Sequence, residues 1–250
     1  MRKYGLIGYP LGHSFSSKYF SEKFISEAIS DCSYVNFPIE KIELLVELLE
    51  KDKEICGLNV TIPYKREVIS YLNEIADDAS ETGAVNVVKI TWKDGLKTLK
   101  GFNTDIFGFR ESITPFLNNS SKNALILGTG GASKAVSYVF RQLGISYKHV
   151  SIEKEEGCFG YGEITSEIIL SAEIIVNSTP LGMYPDINSC PEIPYQYLNK
   201  NHLLFDLVYN PEVTLFMEKG KERGCRVMGG LKMLHLQAEK SWSIWNDSSV

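Results

Sequence analysis

The chain of 250 residues reads as an α/β protein in two halves. Three observations predict this. Strand-like and helix-like segments alternate almost throughout, the polar run Asn118-Asn119-Ser120-Ser121 interrupts them near the middle, and a glycine-rich strand–helix turn follows that interruption. Such alternation implies parallel sheets covered by helices on both faces.

Residues 4–8 form a short strand-like run, and residues 16–29 a helix with Phe20, Phe24 and Ala28 on one face. Residues 33–39 are strand-like; Ile42, Leu45, Val46 and Leu49 then recur at helical spacing. Residues 57–62 make another strand, after which Pro63 suits the first turn of a helix running to residue 72. Two strands, 85–91 and 96–102, flank Lys93-Asp94-Gly95, a hairpin signal. A helix over 105–117 leads into the polar run, which reads as a link. The second half opens with a buried strand at 124–127 and a helix at 134–143. Further strands at 147–152, 173–178, 203–208 and 226–228 alternate with helices, and an amphipathic helix over 231–245 closes the chain. No internal repeat or low-complexity tract is visible.

Composition narrows the function classes. Hydrophobic residues at 44% and charged residues at 23% are ordinary for a folded globular protein. A formal net charge of −5 is a poor fit to a nucleic-acid binder, whose affinity rests on basic contacts to phosphates. Cys32, Cys56, Cys158, Cys190 and Cys225 are scattered with no CxxC pair, which fits reduced thiols better than disulfides or zinc. Gly5, Gly8, Pro10 and Gly12 break up any signal-peptide pattern, and no apolar run approaches the ~20 residues that span a bilayer. The expectation is a cytoplasmic protein, monomer or homodimer, with a small-molecule substrate and neither nucleic acid nor membrane as partner.

The strongest local signal is Gly128-Thr-Gly130-Gly131-Ala132-Ser133 after the strand 124–127. A strand ending in GxGxx(small) and opening a helix brings backbone N–H groups close to a pyrophosphate, whose charge sits on the helix N-terminus. A ligand-free glycine turn is the competing reading, and the strand–helix–strand setting favours a dinucleotide. In Gly8-Tyr-Pro10-Leu-Gly12-His-Ser14-Phe-Ser16 the hydroxyls suit a polyol or carboxylate equally as they suit capping a helix. Asn59 and Thr61 alternate along an apolar strand and so share a side. Lys65, placed in the first helical turn that follows, would lose its proton more readily there and serve as acid or base; a solvated surface lysine is the alternative. Asn86 and Asp105 stand at strand ends, Asp105 reading first as a helix N-cap. His13, His149, His202 and His235 show no metal-binding spacing.

Taken in order, these motifs resemble the shikimate dehydrogenase family. They are GYPLGHSFS (8–16), NVTIPYK (59–65), GAVN (83–86), GFNTD (101–105), GTGGAS (128–133), NSTPLGM (177–183), DLVYNP (206–211) and GLKMLHLQA (230–238). The match runs from residue 4 to about 242. It implies an N-terminal substrate-binding α/β domain (1–108 and 231–250), a Rossmann dinucleotide-binding domain (109–230), and a C-terminal helix returning to the first domain. Shikimate would lie in the cleft between them. Ser14, Ser16, Asn59, Thr61, Asn86, Tyr209 and Gln237 match substrate-binding positions, and Asp105 matches one too. Lys65 and Asp105 match the catalytic pair, which takes the proton of the substrate's 3-hydroxyl as its C3 hydride passes to the nicotinamide. Gly128, Gly130, Gly131, Ala132, Ser133, Ser151, Lys154, Asn177, Thr179, Leu181, Gly182, Met183 and Gly230 match the cofactor side. No metal is implied.

The implied activity is the reversible NADP-linked reduction of 3-dehydroshikimate to shikimate in chorismate and aromatic amino acid biosynthesis. The alternatives are a quinate/shikimate dehydrogenase using NAD, or a ligand-sensing homologue without turnover. The chain departs from the family pattern twice. Ser17 replaces the proline of H-S-x-S-P. Ser151-Ile152-Glu153 replaces the N-R-T that grips the 2′-phosphate of NADP, which leaves NAD open as a cofactor.

Overall fold

The computed structural model describes residues 1–12, 15–118, 121–153 and 156–247. Ser14 and Lys154, two of the expected site residues, lie outside the described residues, as do His13, Asn119 and Ser120. The chain divides into two compact units, Met1–Thr104 with Gln237–Val250, and Asp105–Leu236.

The first unit contains β1 (Arg2–Gly8), α1 (Phe15–Ser26), β2 (Cys32–Pro38), α2 (Leu44–Lys51), β3 (Ile55–Val60), β4 (Glu74–Ile75), α3 (Asp77–Thr82), β5 (Val87–Lys93) and β6 (Leu96–Phe102). The strands form one sheet in the order β2-β1-β3-β5-β6-β4. It is mixed: β5 runs antiparallel to β6, as the hairpin signal implies, and also to β3. The cause is the turn that the sequence signalled. Asp94 and Gly95 take φ of 52° and 79°, the left-handed pair that closes a two-residue hairpin.

One face of this sheet buries Leu45 and Leu49 of α2 with Ile7, Leu58, Val60 and Val88. The other packs Phe20 and Phe24 of α1 with Tyr4, Leu6, Tyr34 and the end of the last helix, α8 (Leu231–Asn246). Trp245 of α8 stacks on Tyr4 at 4.9 Å between ring centroids and donates from Nε1 to the Val88 carbonyl at 3.1 Å. Gly57 makes room for that indole, since a Cβ there would lie 2.4 Å from it.

The second unit runs α4 (Thr104–Ile113), β7 (Asn123–Leu127), α5 (Gly131–Gln142), β8 (Ser146–Ser151), β9 (Phe159–Gly160), α6 (Ser166–Ser171), β10 (Ile174–Asn177), β11 (Leu203–Asp206), α7 (Leu215–Glu222) and β12 (Arg226–Met228), with the first part of α8. Its sheet, β12-β11-β10-β7-β8-β9, is parallel at every pairing. Numbered within the unit this is 3-2-1-4-5-6, the doubly wound dinucleotide order. Period-two alternation places Ala124 and Ile126 of β7 against α4 and α5. Leu125 and Leu127 face α6 and α7 instead.

One expected helix is absent. Residues 62–66 form turns, followed only by a 3-10 segment, Glu67–Tyr71. Val68, Ile69 and Ser70 are weak helix formers, and Ile69 N–H bonds back just three residues, to Arg66. The helix-dipole argument for activating Lys65 therefore fails.

Candidate functional site

In the first unit the motif segments meet around Asn86, which is 4% exposed. Its backbone N–H donates to Phe102 O at 3.0 Å, and its carbonyl accepts from Val60 N–H at 2.8 Å. Its side-chain Oδ1 accepts from Thr104 N–H at 2.7 Å and from the Thr104 hydroxyl at 3.3 Å. Its Nδ2 donates to Gln237 Oε1 on α8 at 3.4 Å. One residue before it, Val85 N–H donates to the Lys65 carbonyl at 2.8 Å. Asn86 thus fastens the segments carrying Asn59, Lys65, Thr104 and Gln237 to one another.

Lys65 is half-buried and Asp105 is 4% exposed in the first turn of α4. Thr61 is held through its backbone, donating to Ile7 O at 3.0 Å. Asn59 donates from Nδ2 to the Ser241 hydroxyl at 3.2 Å and accepts at Oδ1 from the Tyr34 hydroxyl at 2.7 Å. Ser16 lies in the first turn of α1, and burial pushes the Tyr34 phenol's pKa up.

In the second unit the glycine turn has the backbone it needs. Gly128 takes φ of 106°, and a Cβ there would lie 3.0 Å from Ser178 Oγ. Its carbonyl is held by His149 Nδ1 at 3.0 Å, and its N–H donates to Val150 O at 2.8 Å. A Cβ on Gly130 would meet nothing within 4 Å, and no side chain caps α5 at that residue. Ser133, 1% exposed, turns its hydroxyl back to Gly130 O at 2.6 Å. The start of α5, at Gly131, Ala132 and Ser133, therefore combines open space, a small-residue backbone and the positive end of a helix. Ser151 is buried at the end of β8, beside exposed Ile152 and Glu153.

At the neighbouring strand ends a carboxylate organises the loops. Asp206, 0% exposed at the end of β11, accepts from Asn177 Nδ2 at 3.0 Å, Val208 N–H at 3.0 Å and the Thr214 hydroxyl at 2.5 Å. Burial raises its pKa to about 6, against the lowering effect of these donors. Asn177 passes the order on: its Oδ1 accepts from Thr179 N–H at 3.0 Å and the Thr179 hydroxyl at 2.6 Å, and its Nδ2 reaches Leu181 O at 3.2 Å. Gly182 takes φ of 87°, with its N–H on Ser189 Oγ at 2.9 Å. Met183 is 42% exposed. Tyr209 is half-buried, and burial raises its phenol. At Gly230 a Cβ would lie 2.2 Å from Leu207 O, so only glycine fits there.

The sequence reading missed Tyr34, Thr104, Asp206 and Ser241 as organising residues. Ser241 carried a signal, since it stands one helical turn after Gln237 on the same face. Asp206 stood inside a quoted motif without a role. Among the described residues no group of three or more His, Cys, Asp or Glu is arranged to hold a metal ion.

Residues 6–88 match the family described as the shikimate dehydrogenase substrate binding domain. A shikimate dehydrogenase (NADP(+)) of Clostridium beijerinckii is 39% identical over 100% of this chain and 94% of its own length. The crystal structure of shikimate dehydrogenase from Aquifex aeolicus is similar with a TM-score of 0.84 at 32% identity, covering 100% of this chain and 94% of that one. Shikimate 5-dehydrogenase of Thermus thermophilus, solved in complex with NADP(H) and shikimate, gives a TM-score of 0.85 at 28% identity, covering 98% and 94%.

Proposed function

This chain belongs to the shikimate dehydrogenase family, and from that premise we propose that it interconverts shikimate and 3-dehydroshikimate with NADP as redox partner. The observation that carries the reading is the likeness to a named shikimate dehydrogenase across the full chain, which takes in both units rather than a dinucleotide fold alone. The unit Met1–Thr104 with Gln237–Val250 is assigned most of the substrate-binding residues, and Asp105–Leu236 the cofactor-binding ones.

The residues present fit the dinucleotide. The open space at Gly130 and the uncapped start of α5 suit a pyrophosphate held by the backbone of Gly130, Gly131, Ala132 and Ser133. When bound, NADP supplies a nicotinamide ring that exchanges a hydride with C3 of the substrate. The turn through Asn177, Thr179, Leu181, Gly182 and Met183 is assigned to the nicotinamide side, with Ser151, Lys154 and Gly230 completing the cofactor set.

Ser14, Ser16, Asn59, Thr61, Asn86, Tyr209 and Gln237 are assigned to the carboxylate and hydroxyls of the alicyclic acid. Hydroxyls and carboxamides both donate and accept, which suits a polyol. Lys65 with Asp105 takes the proton of the 3-hydroxyl during oxidation and returns it during reduction, as general base and acid.

Among the described residues no helix is long and apolar enough to cross a membrane.

Nicotinamide absorbance with purified protein tests the reading. NADP should be reduced when shikimate is added, and quinate should be the poorer substrate. No reduction with either acid and either nicotinamide cofactor would leave the ligand-sensing alternative standing.

A further inference from the structure

A set of polar side chains in the first unit lies on one hydrogen-bonded chain. The Tyr34 phenol donates to Asn59 Oδ1 at 2.7 Å. Asn59 Nδ2 donates to Ser241 Oγ at 3.2 Å, and Ser241 donates to the Gln237 carbonyl at 2.7 Å. Ser241 Oγ also lies 3.4 Å from Thr104 Oγ1. Three elements are joined this way, β2, β3 and α8, with Thr104 beside them.

We propose that Tyr34 and Ser241 are positioning residues for substrate recognition, holding the Asn59 carboxamide in one orientation. A carboxamide is nearly symmetric in shape, and only its partners decide which end is oxygen. Here the phenol donates to the oxygen and the serine hydroxyl receives the NH2. Ser241 gives its one proton to the Gln237 carbonyl, so a flip would set the amide oxygen against a hydroxyl lone pair and force that bond to break or leave the oxygen unsatisfied, which is costly. The surroundings favour precision. Tyr34 is 9% exposed and Ser241 0% exposed, and the Tyr34 ring stacks on Phe20 at 4.7 Å. Asn59, itself only half-buried, spends one N–H and one oxygen lone pair on these partners, and each end of the amide has a second site. A ligand hydroxyl would meet a fixed pattern there.

The inference rests on the assignment of Asn59 to substrate, so the test separates the two. Tyr34→Phe and Ser241→Ala keep the packing and remove one hydroxyl each. Each should raise KM for shikimate roughly 2- to 10-fold, the value of one hydrogen bond of ordinary strength, while leaving KM for NADP unchanged. With Asn59 replaced by Ala, adding Tyr34→Phe should cost no further rise in KM, because the group being oriented is gone. If Asn59→Ala alone leaves KM for shikimate unchanged, the substrate assignment fails. Should Asn59→Ala raise KM while Tyr34→Phe and Ser241→Ala lower only the melting temperature, the assignment survives and the positioning role is overturned. Equal losses with and without Asn59 would overturn it as well.

Discussion

The two units order the residues at their strand ends by opposite electrostatic means. In the first, the chain from Tyr34 through Asn59 to Ser241, with Asn86 and Thr104 beside it, consists of neutral hydroxyls and amides. In the second, a carboxyl group with no solvent exposure gathers three donors at the ends of β10 and β11. A neutral network costs little desolvation and does not titrate near neutral pH. A buried carboxylate holds its donors more strongly but pays in desolvation and responds to pH. The neutral network should therefore keep its order across a wide pH range, whereas the loops around Asp206 depend on the charge of that one group.

The largest expected effect breaks this contrast at its chemical centre. Lys65→Ala should lower kcat for shikimate oxidation by about 10²–10⁴-fold, the usual contribution of a general acid–base group, with little change in KM for either ligand. Asp105→Asn should also depress kcat, and the double variant should lose less than the product of the two, as expected of groups acting as a unit. A Lys65→Ala enzyme with wild-type kcat at saturating shikimate would make Lys65 a surface lysine.

Next in size is the pH response of Asp206. Its folded pKa of about 6 lies above the ordinary aspartate value of 3.8, so the unfolded carboxyl ionises first. The stability this group contributes is full below 3.8 and is lost as pH rises through about 6. The difference is roughly 3 kcal/mol at 1.36 kcal/mol per pH unit. Denaturant titrations from pH 3.5 to 7 should show that slope in the wild type and lose it in Asp206→Asn. Parallel curves for the two proteins would remove Asp206 as the titrating group. The neutral chain predicts the reverse for Asn59→Ala, whose stability difference from wild type should not vary over the same range.

Gly128→Ala comes third. A non-glycine residue at φ of 106° is strained by on the order of 1–3 kcal/mol, and the added Cβ crowds Ser178 Oγ at 3.0 Å. KM for NADP should rise while KM for shikimate stays unchanged, as long as the strain is confined to the second unit. A change in shikimate KM alone would contradict the division of labour.

What could be read in advance was local. The GTGGAS turn and the Asp94-Gly95 hairpin were legible because their chemistry is contained within a few neighbouring residues. The doubly wound unit followed from strand and helix alternation. In the other sheet the hairpin gave the antiparallel β5–β6 pair, whereas the antiparallel pairing of β3 with β5 joins segments with no tight turn between them and carried no local signal. The organising residues were hidden for a different reason. Tyr34 reaches Asn59 across 25 residues of sequence, and Asn59 reaches Ser241 across 182. Asp206 meets Asn177 across 29. No spacing rule marks such pairs. Lys65 shows the opposite error, because an apt proline suggested a helix that the Val68-Ile69-Ser70 run does not sustain.

The smallest effect concerns how the second unit reads its dinucleotide. At the end of β8, Ile152 is 83% exposed and Glu153 is also exposed. An acidic group after the second parallel strand is where a free ribose finds its hydrogen-bond acceptor, and a 2′-phosphate there meets like charge. NADP should therefore be used with only modest preference over NAD. Replacing the pair by Ile152→Arg and Glu153→Thr removes the repulsion and adds a guanidinium able to grip phosphate with two parallel bonds. KM for NADP should fall and KM for NAD rise, each by about tenfold or less, the value of one charge-assisted contact near the surface. Shikimate KM should stay constant, because the change is confined to the second unit. If the unaltered protein already prefers NADP by several orders of magnitude, a group other than these two holds the phosphate, and the exposed carboxylate of Glu153 plays no part in cofactor choice.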